Sequence, residues 1–321
     1  MGVRSSLPLP VYIFRCSFEY LFFHHFCEIQ QEHRQLLCFL IQFIQVIYMI
    51  ELPEARTIAA DLRREVLGKT IQSVSGNFTD HKFTFYYGNP DTYHDRLKNK
   101  AVTAVVERSF YVELEIQDEI LTFRDGANIR WFAQPQQFKK SKLLLIFTDG
   151  SCLHVTTSMY AAIHVFPKAE GIQDAYYETE LKSCSLLDDC FTYDSFLSKL
   201  NHETEKLSVK AFLATKQRFI GIGNGVCQDI LFYAGLHPKR KMNTLTKDEL
   251  YTLFFSIKQT LQRMVQEGGR DSEKSIYGIK GGYRCVMSAG HYKDGCPKCG
   301  GAIQKEYYLG GSIYYCLRCQ K

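Results

Sequence analysis

Residues 209–238 read VKAFLATKQRFIGIGNGVCQDILFYAGLHP, and their reading decides the fold. Leu207, Ala211, Ala214 and Phe219 suit one helix, and Val226, Ile230, Leu231 and Ala234 suit a second that Gly235 stops. Between them stands Gly221-Ile222-Gly223-Asn224. A glycine-rich turn leading into a helix leaves the first backbone N–H groups without intrahelical partners, at the positive end of the helix dipole. Such a mouth suits a phosphate. Asn224 is placed as the N-cap and can also donate to an anion. Taken alone, the same turn also reads as an ordinary connection between helices.

Working outward toward the C-terminus, Thr246 and Glu249 form a capping box with Leu245 and Leu250 as its hydrophobic staple. The stripe Leu250, Phe254, Ile257, Leu261 and Met264 is core, and Gly268-Gly269 ends the helix. Lys239-Arg240-Lys241 lie in the loop before it. Further on, Cys296-Pro297-Lys298-Cys299 and Cys316-Leu317-Arg318-Cys319 stand 16 residues apart, with a β-hairpin pattern between them. Two such pairs can meet as a tetrahedral site of four thiolates. With every position filled by protein, this spacing predicts one structural zinc ion, Zn2+, rather than a catalytic one; a single iron–sulfur cluster is the alternative. The other eight cysteines (Cys16, Cys27, Cys38, Cys152, Cys184, Cys190, Cys227 and Cys285) lack ligand spacing and read as buried thiols.

The whole chain has 321 residues, 45% apolar and 23% charged, which excludes a mainly disordered protein and allows two domains with separate cores. Cysteines in metal-type pairs rather than a disulfide framework point to the cytoplasm. A net charge of +5 hides an asymmetry: residues 203–321 carry 19 basic and 10 acidic side chains, residues 49–202 carry 17 and 21. A basic C-terminal third is the electrostatic footprint of a nucleic-acid-binding part, or else a solvated basic face.

Toward the N-terminus, the apolar run Leu36–Ile50 is 15 residues long and holds Gln42 and Gln45, too short and polar to span a membrane. No clean signal peptide precedes it, and Met1-Gly2 with Ser6 fits the myristoylation pattern only loosely. Residues 1–48 read either as an amphipathic helix packed on the domain or as an extension ahead of a true start at Met49. After Met49, Pro53 suits a first helical position, Ile58, Leu62 and Val66 keep helical spacing, and Gly68 is the stop. Short β-rich runs follow, among them Lys82–Tyr87, Ala101–Ile116 and Leu143–Val155, the last with an Asp149-Gly150 turn. One helix before many strands predicts a β-sandwich or barrel with flanking helices.

Three features thus occur in order: Ile50-Glu51-Leu52-Pro53-Glu54, Gly221-Ile222-Gly223-Asn224, and a four-cysteine ribbon ending Cys319-Gln320. Together they resemble the formamidopyrimidine-DNA glycosylase and endonuclease VIII family, over residues 49–321 and most densely over 209–238. The resemblance implies an α+β multidomain protein. Residues 49–180 would form an N-terminal β-sandwich with flanking helices, 181–268 a helix–two-turn–helix domain, and 269–321 a linker and zinc-ribbon finger. The partner would be damaged double-stranded DNA in the cleft between domains, met by a cytoplasmic monomer with no membrane contact. The family removes oxidised bases after flipping the nucleotide out of the duplex. The amine of an N-terminal proline attacks C1′, forms a Schiff base and so also cleaves the strand. Carried onto this sequence, Glu51 matches the catalytic acid and Glu54 the second glutamate. Asn224, Gly223 and Lys210 match the DNA-contacting region, and Cys296, Cys299, Cys316 and Cys319 the zinc ligands.

The sequence also departs from the pattern. Ile50 holds the proline position, and an internal isoleucine nitrogen is an amide, not a nucleophile. A start at Met49 would leave a primary amine one residue out of register. The family's β-turn lysine falls on Phe110, its strand-intercalating arginine and phenylalanine fall near Tyr160 and Ala162, and the arginine at the finger tip falls on Gly311. Two functions therefore stand open: a glycosylase and AP lyase using the amine of Met49 or a nearby lysine, with Glu51 as acid–base group, or a module that binds lesions without cutting. Engagement of RNA by the basic part is a third.

Overall fold

The computed structural model describes residues 50–76 and 84–321. The expectations for residues 1–48, for Met49 and for Lys82, and the thiols of Cys16, Cys27 and Cys38, lie outside those residues. The first helix, α1 (Leu52–Val66), has Pro53 in its first turn, where a missing N–H costs no hydrogen bond. It buries Ala55, Ile58, Ala59, Leu62 and Val66 on one side.

Then come β1 (Ile71–Gly76), β2 (Thr84–Tyr87), the short α2 (Tyr93–Leu97), β3 (Val102–Glu107), β4 (Tyr111–Ile116), β5 (Glu119–Phe132), β6 (Leu143–Phe147) and β7 (Cys152–Pro167). The run 101–116 is therefore a hairpin broken at Arg108–Phe110, and 143–155 is divided by the Asp149-Gly150 turn. Seven strands pair in the order β1-β6-β7-β5-β4-β3, with β2 parallel to β7. The long strands β5 and β7 pair in two stretches, Glu119–Asp125 with Ala161–Pro167 and Ala127–Phe132 with Cys152–Thr157. The register shift between Asp125 and Ala127 bends the pair. The first stretch carries β4, β3 and β2; the second carries β6 and β1. One sheet thus folds into the two layers of the expected sandwich, with α1 packed beside its core residues Val112, Leu114, Phe123, Leu145 and Val155.

Next, α3 (Ala175–Lys182) packs Tyr177 against Tyr111, Ile120 and Phe166 of the sandwich. The second domain runs through α4 (Tyr193–Leu197), α5 (Val209–Ala214), α6 (Asn224–Tyr233) and α7 (Lys247–Gln266), and the hairpin β8 (Ile303–Tyr308) and β9 (Gly311–Cys316) closes the chain. The helix expected through Phe219 stops at Ala214. Lys216 and Gln217 take positive φ, and the turn they make drops Phe219 into an aromatic cluster with Phe191, Phe196 and Phe212. Asn224 is the first residue of α6 and Gly223 its cap, one position from the expectation. The Thr246–Glu249 capping box is present with both of its bonds.

Two cysteine readings change. Cys184 and Cys190 are exposed and disulfide-bonded, their Cα atoms 6.1 Å apart, because a short turn brings them together. Cys152, Cys227 and Cys285 are buried thiols, as expected. Among the described residues, no helix is long and apolar enough to cross a membrane.

Candidate active site

The start of α1 meets the start of α6. The Leu52 N–H donates to the Gly221 carbonyl at 3.1 Å, and Gly221 has φ +98°. A Cβ there would come within 2.6 Å of the Leu52 Cβ, so this glycine serves the docking of the N-terminal segment. One residue earlier, the Glu51 carboxylate accepts N–H bonds from Gly223 at 3.1 Å, Gly225 at 3.0 Å and Val226 at 2.8 Å. The helix mouth that the sequence offers to a phosphate is thus filled by a carboxylate of the same chain.

Arg270 closes the arrangement. Its guanidinium grips Glu54 side-on, Nε to Oε1 at 2.9 Å and Nη2 to Oε2 at 2.6 Å, and its backbone N–H donates to Glu54 as well. Its Nη1 lies 3.5 Å from Glu51 and its Nη2 3.9 Å from Glu273. All four side chains are buried. A Cβ on Gly225 would sit 1.8 Å from Arg270 Nη1, so only glycine fits against the guanidinium.

One cation therefore faces three carboxyl groups in a buried site. Burial pushes Glu51 above the usual carboxylate range, while Arg270 and the bonds from Val226 and Gly225 pull the other way. Burial pushes Glu273 up to about 9, against the pull of Arg270. Burial alone would discharge Arg270, but Glu51 and Glu54 reverse that and keep it charged.

Beside this cluster is a shallow, half-open cavity of about 20 Å³, walled by Ile50, Glu54, Asp125, Arg130, Glu273 and Lys274 among others. Ile50 is 4% exposed, and its N–H donates to the Asp125 carbonyl at 3.0 Å. The nitrogen at the nucleophile position is a committed amide. Asp125 pairs with Arg124 at 2.9 Å, and burial, opposed by that arginine, raises its carboxyl.

Lys210, Asn224 and the four paired cysteines lie on the C-terminal hairpin side. Lys210, buried in α5, donates from Nζ to the Tyr308 carbonyl at 2.7 Å. Asn224 is exposed and its Nδ2 donates to the Ser312 carbonyl at 3.2 Å; Gln228 reaches the same carbonyl at 2.7 Å. The sulfur atoms of Cys296, Cys299, Cys316 and Cys319 all lie within 4.8 Å of one another, with Cys296 and Cys319 at 3.7 Å and Cys299 and Cys316 at 3.5 Å. Four thiolates about 2.3 Å from a tetrahedral ion stand about 3.8 Å apart, so the group fits a metal. Gln320 ties this knuckle to the end of α6, accepting from Cys316 N–H and donating to the Leu236 carbonyl, each at 2.9 Å. Phe110 packs against a small cluster with Tyr111 and Tyr177, Tyr160 and Ala162 lie within β7, and Gly311 opens β9.

Two family models match: the formamidopyrimidine-DNA glycosylase N-terminal domain over residues 49–158 and the formamidopyrimidine-DNA glycosylase H2TH domain over residues 185–275. The chain belongs to the formamidopyrimidine-DNA glycosylase and endonuclease VIII family. A formamidopyrimidine-DNA glycosylase of Lactobacillus delbrueckii subsp. bulgaricus is 28% identical over 291 residues, 85% of this chain and all of that one. Another, of Neisseria meningitidis, is 27% identical over 285 residues with the same coverage. The fold matches the MutM (Fpg) protein of Thermus thermophilus with a TM-score of 0.69 at 21% identity, over 84% of this chain and 98% of that one. It matches Lactococcus lactis Fpg, solved in complex with abasic-site DNA, with a TM-score of 0.73 at 22% identity, over 84% and 99%.

Within the formamidopyrimidine-DNA glycosylase frame, Arg270, Glu273, Asp125 and Lys274 are the site residues that sequence reading missed. Arg270 meets Glu54 across 216 positions of sequence and carries no local motif. The one available signal was its place directly after Gly268-Gly269, where a helix end turns the chain inward. Replacing Arg270 by Ala strands Glu51 and Glu54 without their cation, and we expect a loss of about 3–5 kcal/mol in urea unfolding. Glu273 supplies a pH signature. Its folded pKa of about 9 exceeds the ordinary 4.5, so its contribution is complete below about pH 4.5 and disappears as pH rises toward 9. Thermal unfolding followed from pH 5 to 9 should show Glu273→Gln flattening this decline and raising Tm at pH 8; a parallel curve would contradict the assignment.

Proposed function

We propose that this protein is a base-excision-repair DNA glycosylase with AP-lyase activity, acting as a monomer on oxidised bases in double-stranded DNA. The observation that carries the reading is the half-open cavity beside the Glu51–Arg270 cluster, in the fold of this family. Removing a base needs a proton for the leaving base and an electron pair for C1′. The cavity wall offers the Glu273 carboxyl as proton donor and Arg130 as a fixed positive charge. Glu51, spent on three N–H bonds, holds the two domains in register and so shapes the cavity. With the helix mouth taken by Glu51, exposed Asn224 and the basic loop Lys239–Lys241 supply the polar surface for phosphate.

The four cysteines fit one structural zinc ion in this reading. It would fix the β8–β9 hairpin against α5 and α6 and take no part in a chemical step. The second reading, a module that binds lesions without cutting, rests on the Ile50 amide bonded to Asp125.

Incubating the full chain with duplexes carrying an oxidised purine or pyrimidine separates the two. Release of the free base with strand scission is the expected outcome; salt-sensitive binding with no release over many hours would establish the non-cutting module instead. Cys296→Ser should lose bound zinc, counted by atomic absorption, and unfold the ribbon, because metal binding and folding are coupled there. A full zinc equivalent retained by that variant would remove Cys296 from the ligand set.

A further inference from the structure

We propose that Lys274 is the nucleophile of this glycosylase, its Nζ attacking C1′ of the nucleotide seated beside Ile50. The inference rests on the glycosylase reading and supplies the group which that reading leaves unassigned.

Four observations lead to it. First, the backbone nitrogen at the usual position is closed to chemistry: it is an amide, buried, and hydrogen-bonded to Asp125. Second, among the described residues that line the cavity, Lys274 is the one with a primary amine; Arg130, the other cation, spends its Nη1 on the Ile129 carbonyl at 2.8 Å and the Ser275 carbonyl at 2.9 Å. Third, the backbone around Lys274 is held on both sides while its side chain stays exposed. Upstream, Arg270 is locked on Glu54; downstream, Arg130 holds the Ser275 carbonyl and the Trp131 N–H holds the Ile276 carbonyl at 2.9 Å. From so fixed a base the flexible four-carbon side chain can swing over the cavity mouth. Fourth, the preceding residue, Glu273, and Glu54 line the same cavity.

The step balances without an outside oxidant or reductant. Lys274 first gives its ammonium proton to solvent, and the Nζ electron pair then forms a bond to C1′ as the bond from C1′ to the base breaks. The departing pair leaves on the base, which takes a proton from the Glu273 carboxyl. Nζ then loses a proton while the C1′–O4′ bond opens and O4′ is protonated, leaving an iminium between Lys274 and C1′. Loss of a C2′ proton expels the 3′ phosphate and cuts the strand, and water hydrolyses the imine to free Lys274.

Borohydride reduction of the full chain on abasic-site duplex DNA, followed by proteolysis and mass spectrometry, reads the site of attachment. The adduct should map to Lys274. Lys274→Arg keeps the charge but cannot form the imine, so trapping should fall by about 100-fold or more while binding to a tetrahydrofuran-site duplex persists. Lys280→Ala, an exposed lysine off the cavity wall, should trap as the parent does. An adduct on another amine, base release without any adduct, or undiminished trapping by Lys274→Arg would overturn Lys274 and leave the glycosylase reading standing. Absence of both base release and adduct would overturn the two together.

Discussion

A carboxylate in a helix mouth organises this molecule. Glu51 sits on the N–H groups of Gly223, Gly225 and Val226, and Arg270 lies across it to reach Glu54. Charge-assisted bonds of this kind contribute about 1.5–3 kcal/mol each. Taking an ion out of water costs several kcal/mol, so the cluster as a whole adds little net stability. Its consequence is geometric. Three chain segments far apart in sequence, the start of α1, the turn before α6 and the stretch after α7, can meet in one way only, and the cavity beside Ile50 is the space they leave.

The same constraint explains the glycines and orders the rest of the helical domain. Gly221 yields to Leu52 and Gly225 to Arg270, so the Gly-Ile-Gly-Asn-Gly turn is shaped by the N-terminal segment as much as by any outside anion. On its other side, α6 carries Asn224 and Gln228 to the Ser312 carbonyl, and Asp229 accepts from the Tyr283 hydroxyl and from the N–H groups of Val286 and Met287. One ten-residue helix thereby joins the sandwich, the linker and the cysteine knuckle.

Much of this was legible in the sequence, for local reasons. The capping box at Thr246, the proline opening α1, the alternating strands and the paired cysteines each declare themselves within a few residues. What failed to show depends on distance or on competition. The helix through Phe219 looked continuous because its apolar spacing is helical; the pull of the aromatic core on Phe219 overrides that spacing. Cys184 and Cys190 carry no metal spacing, and only the fold of the intervening turn joins them. The helix mouth looked open because its occupant, Glu51, lies more than 170 residues upstream. Arg270 and Lys274 sit in a stretch of mixed charge that periodicity cannot parse. The family resemblance named Glu51 and Glu54, but only the assembled structure shows the cation between them.

A crystal structure of the full chain bound to a duplex with a tetrahydrofuran abasic-site analogue tests the central claim most directly. The account predicts an extrahelical sugar whose C1′ lies in the cavity walled by Ile50, Glu54 and Lys274, with Glu51 still on the mouth of α6. A duplex bound on another face with that cavity empty, or a Glu51 displaced from the helix by a DNA phosphate, would contradict it.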